Sequence, residues 1–235
     1  MQMIATNTPE GFITNGSLLY LDAGNSSSYA GSGTTWTDLS TNTNNATIAG
    51  SPTFTSSGTA SYFTFNGAGT QYANTDTAKY NQTYAGKTVF IVARMNASSW
   101  TSGVDRYRCM FGTASGTRNF NTYMHQNSSN NLRIHWSANG VGGFSNNLSL
   151  STNQWFVAAV THTTGGLVSY YLNGQPAGTN TGQTFAQWFT NGGENVAYAD
   201  NYWYGDISVV TVYKRALSGA EILQNYNAVK SRYGL

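Results

Sequence analysis

The feature that most limits what this chain can fold into is a local pattern that recurs along nearly its whole length. Short runs of β-branched and aromatic residues, most of them alternating with polar ones, are set between clusters of Gly, Asn and Ser. SLLYLD (Ser17–Asp22), SYFTFNG (Ser61–Gly67), TVFIVARM (Thr88–Met95), RCMFG, NTYMH, LRIHW, WFVAAVTH (Trp155–His162), LVSYYLNG (Leu167–Gly174) and DISVVTVY (Asp206–Tyr213) each read as a strand. The reason is that branched and aromatic side chains suit a pleated, half-buried surface. Stretches such as NGVGG and NTNN supply the turns. Strands at this spacing predict an antiparallel two-sheet sandwich. TVFIVA and WFVAAV are apolar at almost every position, which predicts central strands covered on both faces, whereas the alternating strands face water on one side.

One segment departs from the pattern. After Leu217, Ser218 is a good N-cap, Glu221 three residues on completes a capping box, and Leu217 with Ile222 forms a hydrophobic staple. Ile222, Leu223, Tyr226 and Val229 then recur at helical spacing and predict one apolar face that docks on the sandwich. In LNGQPAG, Asn173 and Gly174 have the chemistry of a tight hairpin turn with positive φ angles.

Composition narrows the function classes. Only 9% of the 235 residues are charged, against roughly 25% in ordinary globular domains, so Asn, Ser, Thr and Gln must solvate the surface. Aromatics spread along the chain supply enough apolar area for one domain with a sizeable core. The net charge of +2 and scattered basic residues exclude a phosphate-tracking groove, so no nucleic acid partner is expected. Arg94, Arg106, Arg108, Arg118 and Arg133 share their segment with the single acid Asp105, which raises as an alternative a local basic patch facing an acidic protein or an anionic glycan. No apolar run approaches a membrane span, and MQMIATNTPEGF lacks the basic and apolar regions of an export signal. The single Cys109 excludes an intrachain disulfide and reads as a buried, inert thiol.

Three stretches together resemble a known family. NGSLLYLDAGNSSSYAGSGTTWTDLSTNTNNATIAGSPTF with SYFTFNGAGTQY is similar to the opening of concanavalin A-like, laminin G-like jelly-roll domains. WFVAAVTHTTGGLVSYYLNGQPAG is similar to their central hairpin, and YGDISVVTVYKRALSGAEILQNYNA to their closing strand and helix. The resemblance covers Asn15 to about Leu235 and implies an all-β, two-sheet antiparallel jelly-roll sandwich with one short C-terminal helix. It divides the chain into an N-terminal arm, residues 1–12, and a sandwich, residues 13–235. Trp155 and Trp203 fall where the family places core aromatics. In WTDLS, Trp36 and Leu39 pack inward while Asp38 and Ser40 bond nearby backbone. Some relatives carry calcium; here Phe65-Asn66-Gly67 and Thr70-Gln71-Tyr72 stand where acidic residues are common, so no cofactor is expected and calcium is not favoured.

Catalytic chemistry finds little support in the residues. Glycoside hydrolysis needs two converging carboxylates, and no strand carries acids at alternating positions; Glu10, Glu194 and Glu221 are the glutamates, and Glu194 is the residue a hydrolase would use. Asp22, Asp38, Asp76 and Asp206 read as turn and strand-end bonding groups. His125, His135 and His162 lack metal-ligand spacing and read as strand-face histidines with a hydrogen-bond partner. What remains is binding: an aromatic platform with amide and hydroxyl donors suits a glycan. The candidate contacts are Trp100, Arg106, Trp188 and Tyr202, with packing as the competing reading of each.

The closing pattern RALSGAEILQNYNA resembles domains of bacteriophage structural proteins, and also of bacterial surface and secreted proteins. It implies a non-enzymatic virion protein, either a capsid decoration protein or a tail or fibre adhesin. Its partners would be other virion proteins or copies of itself, and host surface glycans; its location would be the virion surface. Met3, Ile4 and Phe12 would anchor the arm. The alternative is a carbohydrate-binding module of a bacterial surface or extracellular protein, with a glycoside hydrolase third.

Overall fold

The computed structural model describes residues 8–75, 84, 86–100, 102–113, 121–138, 141–183, 194–197 and 202–235. These form the expected sandwich of two antiparallel sheets. The back sheet runs in the order β14 (Gln175–Asn180), β13 (Val168–Leu172), β12 (Trp155–Thr163), β7 (Gly86–Met95), β16 (Tyr204–Tyr213), β5 (Tyr62–Asn66) and β4 (Thr53–Thr55). The front sheet runs β11 (Val141–Phe144), β10 (Leu132–Ala138), β9 (Asn121–Gln126), β8 (Arg106–Thr113), β15 (Glu194–Val196), β6 (Tyr72–Thr75), β3 (Ala46–Ala49) and β2 (Thr35–Trp36). β1 (Ser17–Asp22) joins the back sheet by sharing one edge of β16 with β5: β5 pairs with Tyr204 to Ile207, and β1 with Val209 to Tyr213. Ser208 sits at the handover, where the pairing of β16 with β7 also slips. Its hydroxyl is bonded to the Ser61 carbonyl at 2.6 Å and the Tyr233 hydroxyl at 2.7 Å, so the bulge leaves no orphan polar group.

The apolar strands are central for the reason their sequence suggests. Along β7, Val89, Ile91, Ala93 and Met95 enter the core between the sheets. Phe90 and Val92 point the other way into a second core, formed with Tyr20, Val157, Ala159, Val209 and Tyr213 on the outer face of the back sheet. Helix α1 (Gly219–Val229) covers that outer face. Ser218 and Glu221 make both halves of the capping box, and Leu217 and Ile222 are buried as the staple requires. Arg215 also pairs with Glu221 at 2.7 Å, and this pair with the cap holds the carboxyl down at about 2.

The buried stripe of α1 differs from the predicted one at one position. Leu223 is exposed, and Asn225 is fully buried in its place. Asn225 accepts from the Ile13 backbone N–H at 2.8 Å and donates to the Tyr213 hydroxyl at 2.8 Å, and that hydroxyl donates to the Ile13 carbonyl at 2.7 Å. A polar side chain is tolerated inside because every group around it is satisfied. This network also recruits residues 8–13. Phe12, expected in an anchoring arm, is instead a core residue: it is 7% exposed, stacks on Tyr20 at 5.0 Å and meets Phe90 edge-on at 5.7 Å. A ring buried in its own chain has no surface to offer a neighbour. Met3 and Ile4 lie outside the described residues.

Beyond the helix, Arg232 reaches back to β1. Its Nη1 and Nη2 donate to Asp22 at 2.8 and 2.6 Å, and its Nε donates to the Thr59 carbonyl at 2.6 Å. The pair is buried, with side-chain exposures of 10% for Arg232 and 1% for Asp22. Gly24 leaves room for it, since a Cβ there would overlap the Thr59 carbonyl and crowd the guanidinium. At the opposite edge, Asn173 (φ 50°) and Gly174 (φ 76°) make the predicted turn between β13 and β14.

Removing one partner of a buried ion pair leaves the other charge uncompensated. Arg232→Ala should therefore lower stability by about 3–5 kcal/mol, read as a lower urea midpoint at unchanged slope. The double variant Asp22→Ala/Arg232→Met should be less destabilised than Arg232→Ala. Equal losses would show that the ion pair is not what ties the C-terminal segment down.

Candidate functional site

The front sheet turns a different chemistry outward. Met124, Ile134 and Trp136 enter the core between the sheets, so their alternates face out. The pairing registers align these alternates in two adjacent rows across four strands. Tyr107, His125 and Arg133 lie side by side, and next to them Cys109, Tyr123, His135 and Phe144. Tyr107, Arg133, His135 and Phe144 are half-buried, while Cys109, Tyr123 and His125 are buried beneath them. Cys109 is thus the inert thiol expected.

The rings pack as one group. Tyr107 lies 4.3 Å from His125 and 5.2 Å from His135, and Phe144 lies 4.3 Å from His135 and 4.9 Å from His125. The Arg133 guanidinium sits 4.2 Å over the Phe144 ring, a cation–π contact. Its Nη2 lies 3.3 Å from Nδ1 of His125. A guanidinium only donates, so Nδ1 is the acceptor and the His125 proton is assigned to Nε2, which faces Asp105 at 3.8 Å. His135 has the other tautomer, because its Nδ1 donates to the Gly143 carbonyl at 2.9 Å. The Tyr123 hydroxyl accepts from Asn121 at 2.6 Å. Burial and the nearby Arg133 hold the His125 imidazole neutral, pushed down to about 4, with Asp105 opposing the shift weakly.

The residues singled out from sequence fall elsewhere. Trp100 is half-buried against the central core, with its indole N–H buried and unbonded. Its loop is tied to the start of β16 through the Asn96 N–H and Tyr204 carbonyl, and to the β9–β10 turn through the Gly103 N–H and Asn130. Arg106 pairs in register with Gln126 and Arg108 with Met124, so both point to the inner side of β8. Arg108 donates to the Tyr202 carbonyl at 3.4 Å. The Tyr202 ring closes over Gly69, where any Cβ would collide with it. Trp100, Arg106 and Tyr202 thus belong to one end of the sandwich; Trp188 lies outside the described residues.

The four described arginines of the expected basic patch do not form one. Arg94 is on the outer face of the back sheet, paired with Asp206 at 2.7 Å and held between Tyr62 and Trp155. Arg106 and Arg108 face inward, Arg133 faces outward on the front sheet, and Arg118 lies outside the described residues. Asp22, Asp38 and Asp206 have the structural duties predicted for them, and Asp76 lies outside the described residues. Asp22 holds Arg232, Asp206 holds Arg94 and Thr64, and Asp38 accepts from the N–H groups of Tyr20, Ser40 and Asn44. Among the described residues no group of His, Cys, Asp and Glu has the arrangement of a metal site.

The sequence profile of the concanavalin A-like lectin/glucanases superfamily matches residues 93–223. The chain belongs to this superfamily. No curated protein sequence matches it. Among solved structures, the binding domain of Paraclostridial Mosquitocidal Protein 1 superposes with a TM-score of 0.69 at 12% identity, covering 92% of this chain and 52% of that one. The botulinum neurotoxin serotype D ligand-binding domain, in complex with N-acetylneuraminic acid, gives 0.67 at 15% identity over 92% and 51%. Domain 4 of AbnA, an extracellular arabinanase of Geobacillus stearothermophilus, in complex with arabinotriose, gives 0.63 at 14% identity over 89% and 98%. The chain thus spans about half the length of the toxin domains it matches. The first two are binding domains, and all three share the fold of this superfamily member.

The rows were hidden in plain alternation. Tyr107-x-Cys109, Tyr123-x-His125 and Arg133-x-His135 each place two outward residues on one strand. The short turn between His125 and Arg133 fixes their register, and that turn was the available signal.

His125 titrates near 6.5 in an unfolded chain and near 4 here, so between those values the unfolded chain binds more protons. Stability should be complete above about pH 6.5 and fall as pH drops towards 4, by about 3 kcal/mol at most from this group. His162, also depressed by burial, adds to the same slope. His125→Gln should flatten the slope in part in urea titrations between pH 4 and 7; an unchanged slope would rule out a neutral buried His125.

Proposed function

We propose that this chain is a non-enzymatic glycan-binding module whose ligand lies across the outer face of the front sheet. One observation carries the reading: two register-aligned rows set Tyr107, His135, Phe144 and Arg133 half-exposed on a single face, over a buried floor of Tyr123 and His125. Sugars present apolar C–H faces edged by hydroxyls, and rings bounded by fixed donors and acceptors match both at small entropic cost. The saccharide complexes of two domains sharing the fold favour the same class of ligand. The duties of Asp22, Asp38, Asp206 and Glu221 favour binding over hydrolysis.

A glycan array on the isolated protein tests the proposal. Tyr107→Ala and Phe144→Ala should each weaken the best hit about tenfold or more, as loss of an aromatic contact implies, while no polysaccharide yields new reducing ends. A second reading places the ligand at the end of the sandwich, favoured by the buried, unbonded N–H groups of Trp100 and Arg106. Loss of binding in Trp100→Ala, with Tyr107→Ala unaffected, would select it. Release of product, abolished by Glu194→Gln, would replace both readings with a hydrolase.

The proposed setting is the surface of a bacteriophage particle, on a capsid or a tail fibre, supported by the resemblance of the closing strand and helix. With Phe12 committed to the fold, the anchoring role narrows to residues 1–7, including Met3 and Ile4. Deleting residues 1–7 should leave the urea midpoint unchanged and abolish incorporation into particles. Normal incorporation of the shortened protein would count against the arm.

A further inference from the structure

Arg133 is half-buried and held on two sides. Phe144 lies beneath the guanidinium plane, and His125 takes one N–H of Nη2. The Nε–H lies in that plane, where the ring below cannot satisfy it, and Nε is buried with no hydrogen-bond partner. Among the described residues Arg133 has no carboxylate within ion-pair distance, whereas Arg94, Arg215 and Arg232 each have one. The guanidinium is therefore oriented and partly desolvated, with its Nε–H still unmatched. A planar, two-oxygen anion fits such a fork.

We propose, building on the glycan reading of this face, that the bound sugar unit carries a carboxylate, received in the plane of the Arg133 guanidinium while its ring rests against Phe144 and His135. The neighbouring groups are consistent with this. His125 stays neutral and accepts from Arg133, so it orients the guanidinium without competing for the anion. Tyr107 and Tyr123 add hydroxyls and no charge. Asp105, 65% exposed at the rim and 3.8 Å from His125, is the one acid facing the site among the described residues and works against an anionic ligand. An acidic sugar arises as a uronic acid or as a sialic acid; both present the same carboxylate, and the experiment separates them.

Calorimetry on the full chain would use trigalacturonic acid and 3′-sialyllactose, each beside its carboxyl methyl ester. The acid form of one should bind at least about tenfold tighter than its ester, the scale of a charge-assisted hydrogen bond, and should weaken as salt rises. Arg133→Lys should lose most of that preference, because an ammonium cannot present two parallel donors. Asp105→Asn should tighten acid binding by about two- to threefold, the scale of a screened rim charge; this gain cannot arise from misfolding. Esters binding as tightly as acids, or Arg133→Lys keeping the full preference, overturns the proposal and leaves a neutral-glycan module standing. Binding of no saccharide in either form overturns the glycan reading and this proposal together.

Discussion

The central strands of the back sheet, β1, β7, β12 and β16, are dry on both faces, and the rest of the structure follows from that constraint. A sheet covered twice must be apolar at successive positions, which is why Val89, Phe90, Ile91 and Val92 all leave water, alternately into two cores. Its outer cover is modest: α1, the turn after it and residues 8–13. Each piece is pinned by polar groups as well as by apolar contact. Asn225 fixes the helix to Ile13 and Tyr213, and Arg232 fixes the following turn to Asp22 and Thr59. Apolar contact alone tolerates sliding, whereas these directional bonds allow one docked position.

That obligation divides the two sheets by task. The back sheet commits its outward side chains to packing, so substitution there is constrained. Among the described residues, the outward side chains of the front sheet form only the small cluster around Cys109 and Tyr123. This leaves β8 to β11 free to present rings, imidazoles and a guanidinium. Membership of a superfamily of lectins and glucanases describes the scaffold; the rows on this face are what speak to function.

The fold was legible where local physics decides it. The apolar strands, the Asn173–Gly174 turn, the capping box and the bonds of Asp38 to Ser40 and Asn44 all follow from near neighbours in sequence. Short members such as β2, β3, β11 and β15 were not legible, because two to four residues carry too little pattern and long-range pairing recruits them. Two further positions needed tertiary knowledge. Leu223 fits the helical period but faces out, since Asn225 finds partners from both ends of the chain. Phe12 reads as a tail residue until Tyr20 and Phe90 are beside it. The candidate site was the least legible part. His125 and His135 were each read soundly as single residues, whereas Arg133 was read as part of a basic patch; the adjacency of the three is a property of register across strands, as is the placement of Arg94, Arg106, Arg108 and Arg133 on different faces.

The Asn225 network has one more consequence, for orientation. It stitches the segment around Ile13 to the segment around Val229, so both leave the domain from the back sheet's side, with Tyr233 and Leu235 still against the second core. A surface that holds the protein through its C-terminal residue would therefore turn the aromatic rows towards solution.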